Sequence, residues 1–453
     1  MAIIFIFIVF LAWILYLRRE RVYTMVIFLF FLTSGFHLIP EETMSLMTGF
    51  SKGSDYAIVL ICGCITINFI FSKGRYLKSD EFTFWMWFFL GFISVCMIYS
   101  VTNVGCSIKE TVQASRQFFL VLAYLVLRNM TREELQRLLK IILYITLFNS
   151  CLYILQAVLS TDILTAAYST EFRIGDFVIS RYYNQPAALY FCAILAIYAN
   201  LLRGGMRLFA IGVFFAAIIL GFNRSSIGVF FVALFIGYVI RLPKVRQVRF
   251  VILSVAIIVP SIIFWGHNFT KSKTYSDMQA LMDGRYSDAN IDIYMMQNST
   301  FAYRIGHLLE RINYIEENPE ARLFGVGLMP EESPLVSRFG FFLGLNSERG
   351  DVVQLESPDI SYSYLFLRFG YLGSAIYLAM FVFMAVFFFR RKQSDYAVSG
   401  FLFIIFSFGI SFFSANLSSP LSFVLPLLLL GLIKKDLFLK TSPVLEQEQK
   451  QLV

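Results

Sequence analysis

Residues 208–240 read LFAIGVFFAAIILGFNRSSIGVFFVALFIGYVI, in which the polar stretch Asn223-Arg224-Ser225-Ser226 separates two apolar runs. As α-helices, the runs 208–222 and 227–240 are about 21–23 Å long, whereas the hydrocarbon core of a bilayer is about 30 Å thick. We therefore expect Arg224 to lie below the membrane surface, facing protein or a watery cavity, where an ionised residue indicates function. Its permanent charge and planar set of N–H donors suit a phosphate group.

The composition of the whole chain is that of a membrane protein. Of its 453 residues, 58% are hydrophobic and 15% are charged, which a soluble globular protein of this length does not show. We predict an all-α, polytopic integral membrane protein with about 12–14 transmembrane helices and one large outer loop. The apolar runs behind this prediction are residues 1–17, 22–39, 56–71, 82–101, 111–127, 138–159, 186–202, 208–222, 227–240, 250–265, 371–389, 398–415 and 421–433.

Basic residues predict the orientation of these helices. Lys and Arg recur after every second apolar run or at the end of the chain, and by the positive-inside rule those loops are cytoplasmic. They lie at residues 18–21, 73–78, 128–137, 203–207, 241–249, 390–392 and 434–435. We therefore expect the C-terminus inside and the N-terminus outside. The net charge of +8 follows from this topology, so nucleic acid is not an expected partner.

The same pattern divides the chain into four parts. Residues 1–265 are predicted to form about ten membrane spans, with an outer loop at 160–185. Residues 266–361 form the large outer loop, with an interfacial helix at 301–317. Residues 362–435 return to the membrane, and residues 436–453 form a cytoplasmic tail. The six cysteines show neither a CxxC pair nor a Cys/His ligand spacing, so we predict no metal site and no cofactor.

Arginine is enriched in the two outer segments, where positive charge is normally depleted. The first segment holds Arg173 and Arg181, and the large loop holds six Arg but two Lys. Arg in place of Lys favours bidentate recognition of phosphate or carboxylate. The alternative is a solvated loop whose Arg side chains pair with acidic residues such as Glu310 and Glu317.

Part of the large loop has helical periodicity. One stripe is apolar and consists of Phe301, Ile305, Leu308, Ile312 and Ile315. The neighbouring stripe is polar and consists of Arg304, His307, Arg311 and Tyr314. The pattern predicts a helix that lies on the outer leaflet, presents its two Arg and its His at headgroup height, and ends at Asn318-Pro319. We expect the two Arg to hold a second anionic group, and the His to be either structural or catalytic.

Two carboxylates stand where the large loop re-enters the membrane. Glu356 and Asp359 precede a membrane span, and either is a candidate general base that takes a proton from a hydroxyl group. The alternative for Asp359 is a helix N-cap. Arg116 and Arg368 lie nearer the outer than the inner ends of their spans, so we expect both to share the depth of Arg224.

Several short motifs carry a resemblance to a known family. They are Asn223-Arg224-Ser225-Ser226, the loop helix from Arg304, Asn318-Pro319 with Gly325-Val326-Gly327, and Asp359-x-x-Tyr362 leading into Gly370-Tyr371-Leu372-Gly373. Over about residues 80–435 the chain resembles the O-antigen polymerase and ligase superfamily of bacterial envelopes. Ligases of that family carry a His-Asn pair where this chain reads Asp359-Ile360, which favours a polymerase. The rod-shape and division peptidoglycan polymerases share only the architecture of many spans and one large outer loop.

The resemblance implies a glycosyltransferase of C-type architecture in the bacterial cytoplasmic membrane, with its active site on the outer side. It implies polymerisation of undecaprenyl-diphosphate-linked oligosaccharide repeat units into O-antigen, capsule or exopolysaccharide, without a nucleotide sugar. Membrane lipid and a chain-length regulator protein are the implied partners. The alternatives are an O-antigen ligase and a flippase for lipid-linked oligosaccharide, although the chain lacks the two similar halves typical of transporters.

Candidate site residues follow from the motifs and the charge pattern together. Catalysis is assigned to Asp359, with Glu356 and His307 behind it. Diphosphate binding is assigned to Arg224, Arg304, Arg311, Arg368 and Arg116. Substrate binding is assigned to Arg173, Arg181, Tyr314 and Tyr362.

Overall fold

The computed structural model describes residues 2–44, 52–72, 79–165, 169–174, 177–243, 245–247, 300–330, 333–341, 343, 355 and 360–441. Their α-helices are α1 (Ala2–Leu17), α2 (Arg21–Leu32), α3 (Glu41–Met44), α4 (Gly53–Ser72), α5 (Glu81–Tyr99), α6 (Ile108–Ser115), α7 (Ala123–Leu127), α8 (Arg132–Leu159), α9 (Leu189–Tyr198), α10 (Gly204–Leu220), α11 (Arg224–Arg241), α12 (Thr300–Glu317), α13 (Pro319–Phe324), α14 (Ser361–Arg390), α15 (Asp395–Ile410) and α16 (Leu421–Thr441). The same residues form 3₁₀ segments at Gly35–His37, Arg116–Leu122 and Val336–Phe339, a π-helical turn at Ser100–Val104, and strands β1 (Ser169–Ile174) and β2 (Phe177–Tyr182).

Five of the described helices are long and apolar enough to cross a membrane, namely α4, α5, α8, α11 and α14. Shorter apolar helices of 10–17 residues accompany them, namely α1, α2, α9, α10 and α15. The predicted apolar runs coincide with described helices except for 250–265, which lies outside the described residues. The predicted helical class is thereby confirmed, and the apolar helices indicate a membrane protein.

One element departs from the all-α prediction. Residues 160–185, predicted as an outer loop, contain an antiparallel hairpin of β1 and β2 in which Ile174 pairs with Phe177. The two residues between the strands, Gly175 and Asp176, have the composition of a two-residue hairpin turn. The prediction missed the hairpin because it followed long apolar runs, and a short hairpin with polar residues contributes none.

The loops predicted to be cytoplasmic meet at one end of the helix bundle, called the basic end. Ion pairs between these segments join Arg128 and Lys434 to Asp80, Arg132 to Asp436, and Arg241 to Asp395. The N-terminal part takes part as well, because Arg21 donates a hydrogen bond to the carbonyl of Asn129 at 2.6 Å. The described residues near 21, 128–132, 241 and 434–436, which the positive-inside rule assigns to one side, therefore lie together.

The opposite end of the bundle, called the outer end because the sequence predicts it on the outer side, is held by buried hydrogen bonds. Asn149 on α8 donates to the carbonyl of Phe36 at 2.8 Å. The hydroxyl of Ser361, at the start of α14, donates to the carbonyl of Ser414 at 2.9 Å. Asn149 and Ser361 are both buried, so each bond satisfies a polar group that water does not reach.

Gly370 divides α14 into two helical pieces. Its backbone, at φ 62° and ψ −166°, lies in a region that essentially only glycine adopts. The second piece, residues 371–390, is about 30 Å long, which is the thickness of the hydrocarbon core. The first piece, residues 361–369, stands at the outer end. There the carbonyl of Leu367 accepts a hydrogen bond from the backbone N–H of Val326 at 2.7 Å.

The segment that follows α13 packs directly on this kink. Gly325 and Gly327 have φ values of 63° and 84°, and a Cβ at Gly370 would lie 2.6 Å from the carbonyl oxygens of Ala321 and Arg322. Backbone therefore packs on backbone, which requires glycine at the contact. Two glycine motifs that are distant in the sequence thus form one joint between the loop and the membrane helix.

Gly370→Ala should destabilise the protein by about 1–3 kcal/mol through backbone strain alone, and further because the new Cβ would meet two carbonyl oxygens. Gly91→Ala is the matched control, since Gly91 lies within α5 and a Cβ there would have nothing within 4 Å. The measurement is the apparent melting temperature of the purified variants in detergent. Equal melting temperatures for the two variants would contradict this account of the kink.

Candidate functional site

Helix lengths give the positions of the three arginines along their segments. Arg368 lies just before the piece of α14 that is about 30 Å long. Arg224 begins α11, about 26 Å from Arg241 at the basic end. Arg116 is about 21 Å from Arg128, along the 3₁₀ segment and α7. Arg224 and Arg116 therefore lie at the ends of their segments that are farther from the basic end.

Arg368 is a buried cation on the first piece of α14. Its exposed fraction is 3%, and its guanidinium lies over the ring of Tyr364, 5.4 Å from the centroid. The Tyr364 hydroxyl accepts a hydrogen bond from Gln117 at 2.5 Å, which ties α14 to the 3₁₀ segment. A guanidinium removed from water gains from anionic and aromatic neighbours. These contacts hold the Arg368 guanidinium inside the fold, and its diphosphate role stays a prediction.

Arg116 meets a carboxylate of the protein. Its Nη1 lies 2.7 Å from Asp55 Oδ2, and the two side chains are 15% and 7% exposed. The pair borders a groove of about 360 Å³ between α4 and α6, together with Lys109. Asp55 neutralises much of the charge of Arg116. The diphosphate role of Arg116 stays a prediction, and it requires the diphosphate to compete with Asp55.

α12 brings His307 against the first turn of α14. Its Nδ1 lies 2.7 Å from Ser363 Oγ, and both side chains are buried. Within the described part of the chain, His307 Nε2 is buried and has no hydrogen-bond partner. Burial, with the Arg311 charge nearby, holds the pKa of His307 well below its ordinary value. The imidazole is therefore neutral at pH 7, which is the form that a general base requires.

The polar stripe of α12 faces the protein, although the sequence pattern predicted it at headgroup height. Arg311 and His307 are fully buried, and Glu310 is 6% exposed. Ile305 and Ile312 of the apolar stripe are only half-buried. The prediction was wrong because it assumed that charged side chains face water. Arg311 instead finds a carboxylate and carbonyl oxygens inside the fold.

All three nitrogens of the Arg311 guanidinium contact oxygen atoms of the protein. Nη1 pairs with the Glu310 carboxylate, Nε donates to the carbonyl of Leu355 at 3.2 Å, and Nη2 donates to the carbonyl of Leu343 at 2.8 Å. The group also lies over the ring of Phe341, 3.8 Å from the centroid. Burial lowers the pKa of Arg311 to about 10, so the group stays charged at neutral pH. These contacts favour the ion-pair alternative for Arg311 over a diphosphate role.

The two candidate carboxylates, Glu356 and Asp359, lie outside the described residues. The chain on both sides of them is held in place. Leu355 is fixed by Arg311, and the N–H of Ser361 donates to the C-terminal end of α15 at 3.0 Å. Arg311 therefore anchors the backbone directly before Glu356, which makes Arg311 a candidate positioning residue.

Two other predicted site residues, Tyr314 and Tyr362, contact side chains or backbone of the protein. Tyr314 packs against Phe341 with ring centroids 5.3 Å apart. The hydroxyl of Tyr362 donates to the carbonyl of Phe408 at 3.0 Å. Arg304 is half-buried on α12. These contacts account for the positions of Tyr314 and Tyr362 without a substrate, and the binding roles of all three residues stay predictions.

Arg181 and Arg224 belong to a separate group at the outer end. Arg181 on β2 donates from Nε to the carbonyl of Gly221 at 3.1 Å. Gly221 ends α10, and the Asn223 side chain caps α11. The hairpin thereby holds the turn that carries Arg224, whose side chain is exposed. Arg173 lies on β1, but its side chain is outside the described part of the structure.

Two clusters therefore occupy the outer end. The first, called the α12–α14 cluster, consists of His307, Arg311, Ser363, Tyr364 and Arg368. The second, called the hairpin cluster, consists of Arg181, Gly221, Asn223 and Arg224. α15 packs against both α11 and α14, and α11 runs antiparallel to it, because Val229 lies beside Gly409 and Gly237 beside Leu402. Arg224 therefore lies near the end of α15 that Ser361, at the start of α14, also contacts.

Sequence reasoning missed Asp55, Ser363 and Tyr364, which contact predicted residues, and Gln117, which contacts Tyr364. Ser363 and Tyr364 carried a weak signal, since both are polar residues in the segment that re-enters the membrane. Gln117 carried none, because its partner Tyr364 is 247 positions away.

No protein-family model and no curated protein matches this sequence. The α12–α14 cluster combines a buried cation with a neutral imidazole, and two carboxylates lie close to it along the chain. A buried cation can stabilise an anion, and a neutral imidazole or a carboxylate can accept a proton.

Arg311→Lys should destabilise the protein by about 2 kcal/mol or more, because Lys keeps the charge but loses the fork that bonds two carbonyls and a carboxylate. Arg322→Lys is the matched control, since Arg322 forms an exposed ion pair with Glu316 at 3.6 Å. The control should change stability by less than about 1 kcal/mol. Denaturant unfolding in detergent measures both, and equal effects would show that the buried network is not needed.

The stability of the protein should depend on His307 below about pH 6.5, the ordinary pKa of histidine. The unfolded chain takes up a proton there, whereas the buried imidazole does not, so the wild type should lose up to about 1.4 kcal/mol per pH unit as the pH falls. The His307→Gln variant has no imidazole to protonate at this position, so it should lose less stability as the pH falls. Melting temperatures of both proteins between pH 8 and pH 5 measure the effect. Parallel curves over that range would mean that the folded imidazole titrates normally.

Proposed function

We propose that the chain is a polymerase of polyprenyl-diphosphate-linked oligosaccharide repeat units, similar to the polymerases of the O-antigen polymerase and ligase superfamily. The observation that carries the proposal is Arg368, a cation that is 3% exposed and lies just before the piece of α14 that is about 30 Å long. In the proposed membrane arrangement this position is at headgroup height, where the diphosphate between a lipid tail and a sugar is held. The neutral His307, which contacts Ser363 on the same first piece of α14, and the short motifs of the sequence support the same interpretation.

The proposed reaction moves the growing glycan from one lipid to the next at the outer face of the bacterial cytoplasmic membrane. The bond between the anomeric carbon and the diphosphate oxygen breaks, and a hydroxyl oxygen of a new lipid-linked repeat forms the glycosidic bond. The hydroxyl proton passes to a base, and the diphosphate leaves with the electron pair. We assign stabilisation of the departing diphosphate to Arg368 and Arg224, and the base to Asp359.

α12 supports this chemistry in two ways. Arg311 bonds the carbonyl of Leu355, the residue directly before Glu356 in the sequence. His307 contacts Ser363 through Nδ1, and its buried Nε2 has no hydrogen-bond partner among the described residues. The nearby charge of Arg311 disfavours protonation of His307, and for that reason we place the imidazole behind Asp359 as the candidate base.

Deletion of the gene in the producing bacterium distinguishes the candidate functions. Surface glycan is extracted and separated on a gel, with a plasmid copy of the gene as the control. If the protein is a polymerase, the deletion strain should make lipid A core that carries single repeats, or short chains in place of capsule or exopolysaccharide. Loss of all repeats from the core would indicate the ligase or the flippase.

Arg368→Gln should lower the polymerisation rate by about 10²–10³-fold, the usual effect of removing one donor to a developing anion. Arg322→Gln is the control, because Arg322 is an exposed Arg of the adjacent α13 and should retain the wild-type rate. The assay uses purified protein and lipid-linked repeat, with protein amount and melting temperature checked for each variant. A wild-type rate for a folded Arg368→Gln would remove the main support for the proposal.

Asp359→Asn separates catalysis from helix capping. Asn caps a helix as well as Asp does, so a residue that only caps should tolerate the change. A general base should instead lose about 10²–10⁴-fold in rate. The same polymerisation assay gives the result, and full activity of Asp359→Asn would move the role of the base to Glu356 or His307.

A further inference from the structure

Two cavities at the basic end share one residue, Arg391. The first cavity, of about 490 Å³, lies between α8, α16 and the turn from α14 to α15. Gln393 and Ser394 supply hydrogen-bonding groups to its lining, and Arg132 and Asp436 neutralise each other in an ion pair. This space, called the polar cavity, therefore takes its net charge from Arg391.

The second cavity is an apolar groove of about 670 Å³ between α5 and α14. Its walls consist of Trp85, Ala379, Val382, Phe383, Val386 and Phe387. Val382 and Val386 are 50% and 42% exposed, so the groove opens toward the surroundings of the bundle. Its charged lining residues are Glu81, Arg390 and Arg391, which gives one more positive than negative charge.

The groove and the polar cavity together have the dimensions of one lipid leaflet. From Arg391 to Ala379, α14 rises about 18 Å, and one leaflet contributes about 15 Å of hydrocarbon. Trp85 lines the same groove near the start of α5, and Trp is enriched at the membrane–water interface. Arg391 lines both the polar cavity and the apolar groove. The two spaces therefore follow one another in the same order as the headgroup and the acyl chains of a lipid.

Arg391 is held in a form that suits a phosphate. Its Nη1 donates to the carbonyl of Phe387 at 3.1 Å, and its guanidinium lies over the Phe387 ring, 3.7 Å from the centroid. These contacts fix the plane of the group. A guanidinium has five N–H donors, so others remain for a ligand that reaches the junction of the two cavities.

We propose that this composite site binds one anionic glycerophospholipid from the leaflet at the basic end. The phosphate contacts Arg391, the headgroup occupies the polar cavity beside Gln393 and Ser394, and one acyl chain lies along the groove between α5 and α14. Basic pockets between membrane helices on the cytoplasmic side bind anionic headgroups. The site lies at the opposite end of the bundle from the α12–α14 cluster, so it does not depend on the proposed glycosyltransferase activity.

The first test compares ligands on the full chain, purified in detergent and stripped of lipid. Phosphatidylglycerol, phosphatidylcholine and inorganic phosphate are added at matched concentrations, and binding and melting temperature are measured. Phosphatidylglycerol should bind and raise the melting temperature, and the other two should not. Equal effects of the two lipids would indicate a nonspecific apolar surface, and protection by inorganic phosphate would indicate a simple anion site. Either result overturns the proposal.

The second test locates the bound lipid. Arg391→Gln should weaken phosphatidylglycerol binding by about tenfold or more, since it removes a charge-assisted contact. Lys392→Gln is the matched control, because Lys392 is the adjacent basic residue and is not among the described lining residues of either cavity. Ala379→Phe fills the groove without changing a charge and should weaken binding to a similar degree.

Melting temperatures without lipid show whether each variant is folded. Folded Arg391→Gln or Ala379→Phe protein with wild-type affinity would place the lipid elsewhere and overturn the proposal. Equal weakening by Lys392→Gln would do the same, since it would indicate a diffuse charge effect. The comparison of ligands on the wild-type protein decides the question even if a variant does not fold.

Discussion

The backbone joint at Gly370 is the constraint on which the outer end depends. Because the helix breaks there, the piece of α14 that is about 30 Å long begins at residue 371, and Arg368 lies on the short piece before it. The break also frees the carbonyl of Leu367, which needs a partner in apolar surroundings. Val326 supplies the N–H that bonds this carbonyl. One non-helical residue, Gly370, therefore both sets where the long piece of α14 begins and lets the loop bond to the helix.

The same requirement explains the burial of charge on α12. An ion pair such as Arg311 with Glu310 gains little net stability once both groups lose their water. Arg311 also bonds the carbonyls of Leu343 and Leu355, which would otherwise be unsatisfied inside the loop. The main effect of the pair is therefore to bond irregular backbone at Leu343 and Leu355. Its importance for function lies in this backbone.

Cations are buried at both ends of the bundle. At the basic end, ion pairs join the loops, as between Arg241 and Asp395, and the Arg128 side chain beside Asp80 is 13% exposed. At the outer end, Arg116 pairs with Asp55, and Arg368 lies over an aromatic ring. Burial of a cation carries a desolvation cost. The 3% exposure of Arg368 is the observation on which the proposed diphosphate-linked substrate depends.

The sequence by itself determined the protein class, the positions of the helices and the grouping of the basic loops, because the length of an apolar run and the charge of a loop are local properties. It also identified Arg368 and the glycine motifs as notable. Only the tertiary structure decided which residues meet, since Arg116 and Asp55 are 61 positions apart and Gln117 and Tyr364 are 247 apart. It likewise turned the polar stripe of α12 inward, because the burial of a helix face depends on what packs against it and not on its own composition.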